Sequence, residues 1–254
     1  MKKLLFLLVF FCAKFTMAQP PTYDDLLMYY TDKQWEKLIK SAEKYTNKEE
    51  TANDAMAHLW LAKGLYEMSQ SGNTDEAYKN AYKDGISAVG KFTKLDKSGS
   101  LKKENMAFIE KYKFSMSEVI SNELSNPKKA SGWVMKYYKF EPKSIGAKYL
   151  EGACKYLSGD KTGANAFWKE AEAWLTTTIN DGSSPFAVVD DSPEEGQDGY
   201  SEADKAMFKM GVLKTVECYM ASKQVDKAKA LLGKAAKWLE KDEDFKAVYD
   251  DIVN

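Results

Sequence analysis

Apolar residues recur at helical spacing along nearly the whole chain, and no stretch alternates as a half-buried strand would. In the second half this pattern repeats after 34 residues. Ala130, Val134, Tyr137 and Pro142 are followed at that interval by Ala164, Trp168, Ala171 and Thr176, and the small-large-small spacing returns at Ala228, Leu232 and Ala235. A period of this length with helical spacing inside it indicates stacked helical hairpins.

The same periodicity predicts helices on both sides of the repeat. Thr31 and Gln34 have the spacing of a capping box that would begin a helix, and Asn126-Pro127 is a favourable N-cap and first helical residue. The other predicted helices cover about residues 22–30, 53–69, 77–92, 101–124, 145–157, 164–175, 203–239 (as a hairpin) and 245–252.

Residues 176–200 interrupt the repeat. This stretch is rich in Asp, Ser, Gly and Pro and contains one apolar island, residues 186–189. Ser201 and Asp204 then restart a helix. We interpret 176–200 as an acidic insertion within a helical domain that covers 23–254.

The first residues have the order of a signal peptide. Lys2 and Lys3 precede an apolar run, residues 4–12, and a small-residue site at Thr16-Met17-Ala18 follows. We therefore expect cleavage near Ala18, which gives a signal peptide over 1–18, a spacer over 19–22 and a mature chain without a transmembrane segment. Phe11 stands before Cys12, where a lipoprotein signal would carry a small residue, so lipidation is not expected. A membrane anchor or an apolar first helix is the minority reading of this run.

The charge pattern argues against nucleic acid as a partner. The chain has 37 basic and 38 acidic residues, and every basic residue is lysine. A mixed-sign surface without a basic stripe does not match a phosphate backbone. Without arginine, the planar bidentate contacts that recognise phosphate and carboxylate are also missing.

The hairpins resemble tetratricopeptide repeats. One continuous register matches that pattern at Gly152, Ala164, Trp168 and Ala171, together with Ala130 and Pro142 before them. The last hairpin matches it at Tyr219, Ala228, Leu232 and Ala235, but Val216 replaces the glycine. The likeness covers about residues 126–176 and 203–240. It implies an all-α fold, a right-handed solenoid of antiparallel helical hairpins with a C-terminal capping helix. The signal, the lysine-only basic set and the repeats together resemble Bacteroidota envelope proteins, which implies a periplasmic or envelope location.

Residues with possible chemistry are few and scattered. His58 is the single histidine and is expected to be a packed or partly exposed helical residue. The four Ser-x-x-Lys pairs have no companion motif and match what chance provides. Cys154 and Cys218, the two cysteines of the mature chain, are expected to be small buried core residues, with a disulfide as the minority case. No cofactor is expected.

An acidic run offers a weaker metal-binding alternative. Asp191, Glu195 and Glu202 stand at the first, fifth and twelfth positions of a calcium-loop spacing. Pro193, however, occupies the place of the third ligand. A solvated acidic loop is therefore the favoured reading.

The resemblance also suggests where a partner would bind. By analogy with the repeats, the concave groove would be lined by Tyr112, Ser115, Tyr149, Tyr156, Leu213 and Met220. Tyrosines with a methionine suit an extended or helical peptide segment. We therefore predict a non-enzymatic scaffold or adaptor that binds a protein or peptide partner. The alternative is a ligand-binding module for a cation or a glycan, and an enzyme of unknown type is the third choice.

Overall fold

Most of the described chain is helical. The computed structural model describes residues 21–190 and 199–254. Among these, the only β pairing is one antiparallel bridge between Val188 and Tyr200. The all-α prediction is confirmed.

Twelve α-helices follow one another in the described part of the chain. They are α1 (Asp24–Thr31), α2 (Trp35–Asn47), α3 (Ala55–Gln70), α4 (Ala81–Leu95), α5 (Ser100–Glu104), α6 (Met106–Asn122), α7 (Pro127–Tyr137), α8 (Ile145–Leu157), α9 (Lys161–Asp181), α10 (Glu202–Ala221), α11 (Val225–Leu239) and α12 (Glu243–Val253). A single turn of 3-10 helix, Glu76–Tyr78, lies between α3 and α4. None of the helices in this part of the chain is both long enough and apolar enough to cross a bilayer.

The helix boundaries differ from the sequence expectation at three places. The predicted helix 101–124 is two helices, α5 and α6, which meet at Asn105. Helix α4 begins four residues later than predicted, after the 3-10 turn. Helix α9 continues to Asp181, so the first six residues of the predicted insertion 176–200 are helical.

Three helix-to-helix turns share one geometry. Lys33, Gly159 and Lys223 each adopt a left-handed conformation, with φ of 55°, 91° and 59°. After each, the next residue donates its N–H to a carbonyl five positions back: Gln34 to Tyr29, Asp160 to Lys155 and Gln224 to Tyr219. This is the Schellman arrangement that ends a helix. It joins α1 to α2, α8 to α9 and α10 to α11.

The capping box predicted at Thr31 and Gln34 does not form, and the first of these turns stands in its place. Helix α2 begins at Trp35 with no side-chain cap. The hydroxyl of Thr31 instead donates to the carbonyl of Leu27, 2.9 Å away, inside α1. The start of α2 is fixed by the backbone turn at Lys33. By contrast, Asn126 caps α7, which begins at Pro127 as predicted.

The core consists of two large apolar clusters that share α8 and α10. One cluster draws on α3, α4, α6, α7, α8 and, through Met207, α10, and the other draws on α8 to α12. Nine of the repeat positions are buried in them: Ala130, Val134, Tyr137, Ala164, Trp168, Ala171, Ala228, Leu232 and Ala235. Pro142 is exposed and Thr176 is only partly buried. A smaller cluster packs α1 and α2 against α3.

Two glycines bring the backbones of α8 and α10 together. A Cβ on Gly211 would lie 2.2 Å from the carbonyl oxygen of Gly146, and one on Gly146 would lie 2.4 Å from the backbone of Phe208. Further along, the Thr215 hydroxyl donates to the Tyr149 carbonyl over 3.2 Å. Because residue numbers rise together along both helices, α8 and α10 run in the same direction.

The pairing of α8 with α9 follows the expected register. A Cβ on Gly152 would lie 2.4 Å from the indole ring of Trp168. The Trp168 Nε1–H donates to the Tyr149 carbonyl over 3.2 Å. A glycine on one helix thus gives room for the indole of the next.

We predict opposite effects for two glycine-to-alanine substitutions. Gly211→Ala forces a methyl group against the α8 backbone and should lower the free energy of unfolding by about 1 to 3 kcal/mol. Gly233→Ala is the matched control, because nothing lies within 4 Å of its Cβ position in α11. The control should raise stability by about 0.5 to 1 kcal/mol. Urea unfolding followed by circular dichroism measures both, and a neutral Gly211→Ala would contradict the close approach.

Candidate partner-binding cleft

A cleft of about 560 Å³ opens between α3, α6 and the segment that leads into α10. We call it the α3–α6 cleft. Its lining residues are Tyr66, Gln70, Glu110, Lys111, Phe114, Ser115, Glu118, Val189, Tyr200 and Glu202. Phe114 is 46 % exposed although it is a large apolar residue. The cleft therefore combines an exposed aromatic ring with several carboxylates.

Helix α6 provides the exposed side of the cleft. Glu110, Phe114 and Glu118 follow one another at four-residue steps and so lie along one face of the helix. The opposite face carries Tyr112 and Met116, which are buried. Phe114 therefore points away from the core, on the face opposite to Tyr112 and Met116.

Aromatic contacts hold α6 against α3 and α4. The rings of Tyr66 and Tyr112 have centroids 4.4 Å apart, and those of Tyr82 and Tyr112 are 5.2 Å apart. The hydroxyls of Tyr82 and Ser115 are hydrogen-bonded at 3.1 Å. The cleft floor is therefore fixed by packed rings from three helices.

The described residues before α10, 186–190 and 199–201, provide the other side. Their Val188–Tyr200 bridge is supported by hydrogen bonds from Val189 N–H to the Gly199 carbonyl (2.8 Å) and from Ser201 N–H to the Ala187 carbonyl (2.9 Å). Phe186 is buried, with its ring 5.7 Å from that of Phe208 on α10. The apolar island at 186–189 therefore anchors this segment and brings Val189 to the cleft.

Glu110 connects the cleft to a buried charge cluster. We call this the Lys113 cluster: Glu110, Lys113, Tyr137, Ser201 and Asp204. Lys113 has no solvent exposure, and its Nζ lies 2.8 Å from a carboxylate oxygen of Asp204 and 2.8 Å from one of Glu110. The Ser201 hydroxyl lies 3.2 Å from the same Nζ and donates to Glu110 over 2.5 Å.

Asp204 satisfies several donors at once. Its Oδ1 accepts from the Tyr137 hydroxyl over 2.7 Å, and its Oδ2 accepts from the Ala187 N–H over 3.0 Å. Its own N–H donates to the Ser201 hydroxyl, which caps α10. The cluster therefore joins α6, α7, α10 and the segment that forms the cleft wall.

The electrostatics of the cluster follow from burial and pairing. Burial alone would lower the pKa of Lys113, but Asp204 and Glu110 outweigh it and raise that pKa above its ordinary value. Burial, together with the adjacent carboxylate of Asp204, raises the pKa of Tyr137 well above its ordinary value. Lys113 is thus held charged and Tyr137 neutral at physiological pH.

Two of the six residues predicted to line a groove are buried in the core. Tyr112 and Tyr149 have at most 1 % exposure. Their hydroxyls bond to the Tyr82 carbonyl and to Glu172, respectively. Burial removes both rings from the contact surface, which corrects the expectation for these two.

The other four remain at or near the surface. Ser115 lines the α3–α6 cleft. Tyr156 and Leu213 are partly buried against the second core cluster. Met220 is exposed at the end of α10.

The remaining chemical candidates are accounted for by packing. His58 is buried in α3, and its Nε2–H donates to the Ala52 carbonyl over 2.9 Å, as expected for a packed helical histidine. Cys154 and Cys218 are buried free thiols, and burial raises the pKa of Cys154 to about 12 and that of Cys218 to about 11. Both thiols are therefore protonated at neutral pH.

The metal-binding alternative falls mostly outside the described residues. Asp191 and Glu195 belong to that undescribed stretch. Glu202 begins α10 and pairs with Lys205 at 2.7 Å. Within 21–190 and 199–254, no group of three His, Cys, Asp or Glu side chains is arranged to hold a metal ion.

A second cleft, of about 510 Å³, lies between α9, α10 and α11. Its aromatic members are Trp168, which is buried, and Tyr219, whose ring is covered by the ammonium of Lys227 at 5.7 Å. Neither of these rings is as exposed as that of Phe114. The exposed ring of Phe114 makes the α3–α6 cleft the better candidate.

Sequence reasoning missed the residues that matter most at this site. Lys113 stands next to Tyr112 on a face predicted to be apolar, and a charge at such a position signals a buried partner. Phe114 is a large apolar residue four positions from both Glu110 and Glu118, so periodicity alone places it on the polar face of the helix. Asp204 was recognised only as part of a helix start, because a local pattern does not show which distant groups its carboxylate accepts from.

We predict that removing Asp204 strongly destabilises the protein. Asp204→Ala leaves the Tyr137 hydroxyl unpaired and Lys113 short of one counter-charge, so the free energy of unfolding should fall by about 3 to 5 kcal/mol. Asp226→Ala is the matched control, since Asp226 is an exposed carboxylate in the first turn of α11. Its loss should be under about 1 kcal/mol. Equal losses in urea unfolding would contradict a structural role for the cluster.

We also predict that alkaline pH destabilises the fold through its buried tyrosines. Burial raises the pKa of Tyr82 from 10.0 to about 12, and burial beside Asp204 raises the pKa of Tyr137 well above its ordinary value. A tyrosine whose pKa is higher in the folded than in the unfolded state contributes stability that is fully present below its unfolded-state pKa, near 10. This contribution is lost as the pH rises through the folded-state pKa. The free energy of unfolding should therefore fall above pH 10, with tyrosinate absorbance appearing together with loss of helix. Tyr137→Phe should show a shallower fall, and an unchanged slope would contradict the role of Tyr137.

No protein-family model matches this chain, and no curated protein matches it. The function of the cleft is therefore inferred from its own residues. Those residues offer one exposed aromatic ring, carboxylate oxygens and a framework held by buried charges.

Proposed function

We propose that this protein is a non-enzymatic scaffold or adaptor of the bacterial periplasm or envelope, and that it binds a protein partner at the α3–α6 cleft. The observation that carries this proposal is Phe114, a large aromatic ring 46 % exposed at the side of a concave surface. Exposed aromatic residues in concave, rigid settings are typical anchors of protein interfaces.

The framework proposed for this scaffold is a right-handed, tetratricopeptide-like solenoid of helical hairpins. The repeated turn geometry at Lys33, Gly159 and Lys223 supports equivalent hairpins at three places. The parallel course of α8 and α10 supports stacking of the first helices of successive hairpins. In such a stack each unit buries its apolar face on the next.

Helix α12 is proposed to close the end of this stack. It packs against α11, and Phe245 is buried in the second cluster. A terminal helix with one apolar face protects the last hairpin from solvent. Export is proposed from the sequence of residues 1–18 alone.

Site-specific cross-linking in the native host tests the partner proposal. A photoreactive phenylalanine analogue at Phe114 should give a cross-link to a defined protein, identified by mass spectrometry. Met135 is the matched control position, because it is 51 % exposed and belongs to α7, outside the cleft. No cross-link at position 114 beyond that obtained at position 135 would count against the proposal.

A further inference from the structure

The lining of the α3–α6 cleft carries an excess of negative charge. It contains three carboxylates, Glu110, Glu118 and Glu202, and one lysine, Lys111. Three of these four charges are already paired: Glu110 with Lys113, Glu202 with Lys205 and Lys111 with Glu67. Glu118 is exposed and forms no ion pair with the described residues. The net charge of the cleft is therefore concentrated at Glu118.

The uncompensated carboxylate and the exposed ring are neighbours. Glu118 follows Phe114 by one helical turn on the same face of α6. Tyr200 and Val189 add apolar surface from the adjoining segment, and Gln70 and Ser115 add polar groups within the same lining. A ligand that fits would place an apolar side chain beside Phe114 and a cation beside Glu118.

We propose that the cleft binds an extended peptide segment in which a lysine or arginine flanks an aromatic or branched apolar residue. This inference rests on the proposed function and names the chemistry of its partner. The amide of Gln70 and the hydroxyl of Ser115 can bond to peptide backbone groups, which offer both donors and acceptors. Opposite charge speeds association and excludes acidic competitors.

The charge of the cleft favours this occupant over others. Phosphate groups of nucleic acids or anionic lipids would be repelled by the unpaired carboxylate of Glu118. A cleft of about 560 Å³ accommodates a few side chains. A second copy of this lysine-rich chain could also present a suitable segment. That contact would form a dimer, which a measurement of the oligomeric state detects.

Selection from a random-peptide display library on the whole mature protein tests the proposal. Enriched sequences should combine lysine or arginine with an aromatic or branched apolar residue. Synthetic versions should bind about tenfold more weakly to Phe114→Ala. They should bind several-fold more weakly to Glu118→Gln and at least about tenfold more weakly to Glu118→Lys. Affinity should also fall as salt concentration rises.

The control variant is Glu104→Gln, which removes an exposed carboxylate on α5 outside the cleft. It should leave binding unchanged. All three target substitutions are at exposed positions, and equal thermal unfolding curves would show that they fold as the parent does.

The outcomes separate this inference from the proposed function. If position 114 cross-links to a protein but the selected peptides are acidic, or bind Glu118→Lys as tightly as the parent, the peptide chemistry proposed here is wrong and the scaffold proposal stands. If no cleft-dependent peptide is enriched and position 114 gives no specific cross-link, both fall. A concentration-dependent dimer that is abolished by Glu118→Lys would assign the cleft to a second copy and overturn the inference.

Discussion

A lysine ammonium fully shielded from water links α6 to α10. An isolated buried charge is very costly, so Lys113 can be tolerated only where Asp204 and Glu110 are both in contact with it. Asp204 lies at the start of α10, and the Ser201 hydroxyl beside it caps that helix. The requirement to neutralise one charge therefore fixes α10 against α6 and, through Ala187, fixes the segment before α10.

The proposed binding surface depends on this arrangement. Phe114 and Glu118 project from α6, whose other face is held by packed tyrosine rings and by the Lys113 cluster. A helix held in this way loses little backbone freedom when a partner binds, and affinity benefits from that preorganisation. The wall that carries Val189 and Tyr200 is positioned by Asp204 and by the burial of Phe186. Binding groups and structural charges are thus linked through a few shared contacts.

The helical class and the pairing of α8 with α9 were predictable because they depend on local pattern. The spacing of Gly152, Ala164 and Trp168 reports a close helix crossing, and the structure has that crossing. In the first half a glycine also makes room for a ring of another helix: a Cβ on Gly85 would lie 2.6 Å from the Tyr112 hydroxyl. That contact lies outside the 34-residue register, so the repeat did not predict it. The turns at Lys33 and Lys223 were also not predictable, because lysine is not a usual left-handed residue.

The sequence by itself determined the helical class, the approximate position of most helices and which faces would be apolar, since helical periodicity is a property of neighbouring positions. Only the tertiary structure decided that Tyr112 and Tyr149 are interior residues and that Phe114 is not. It also decided that Lys113 meets Asp204, a residue far along the chain. The physical reason is the same in each case: burial and ion pairing depend on which distant helix packs against a face, and periodicity carries no information about that choice.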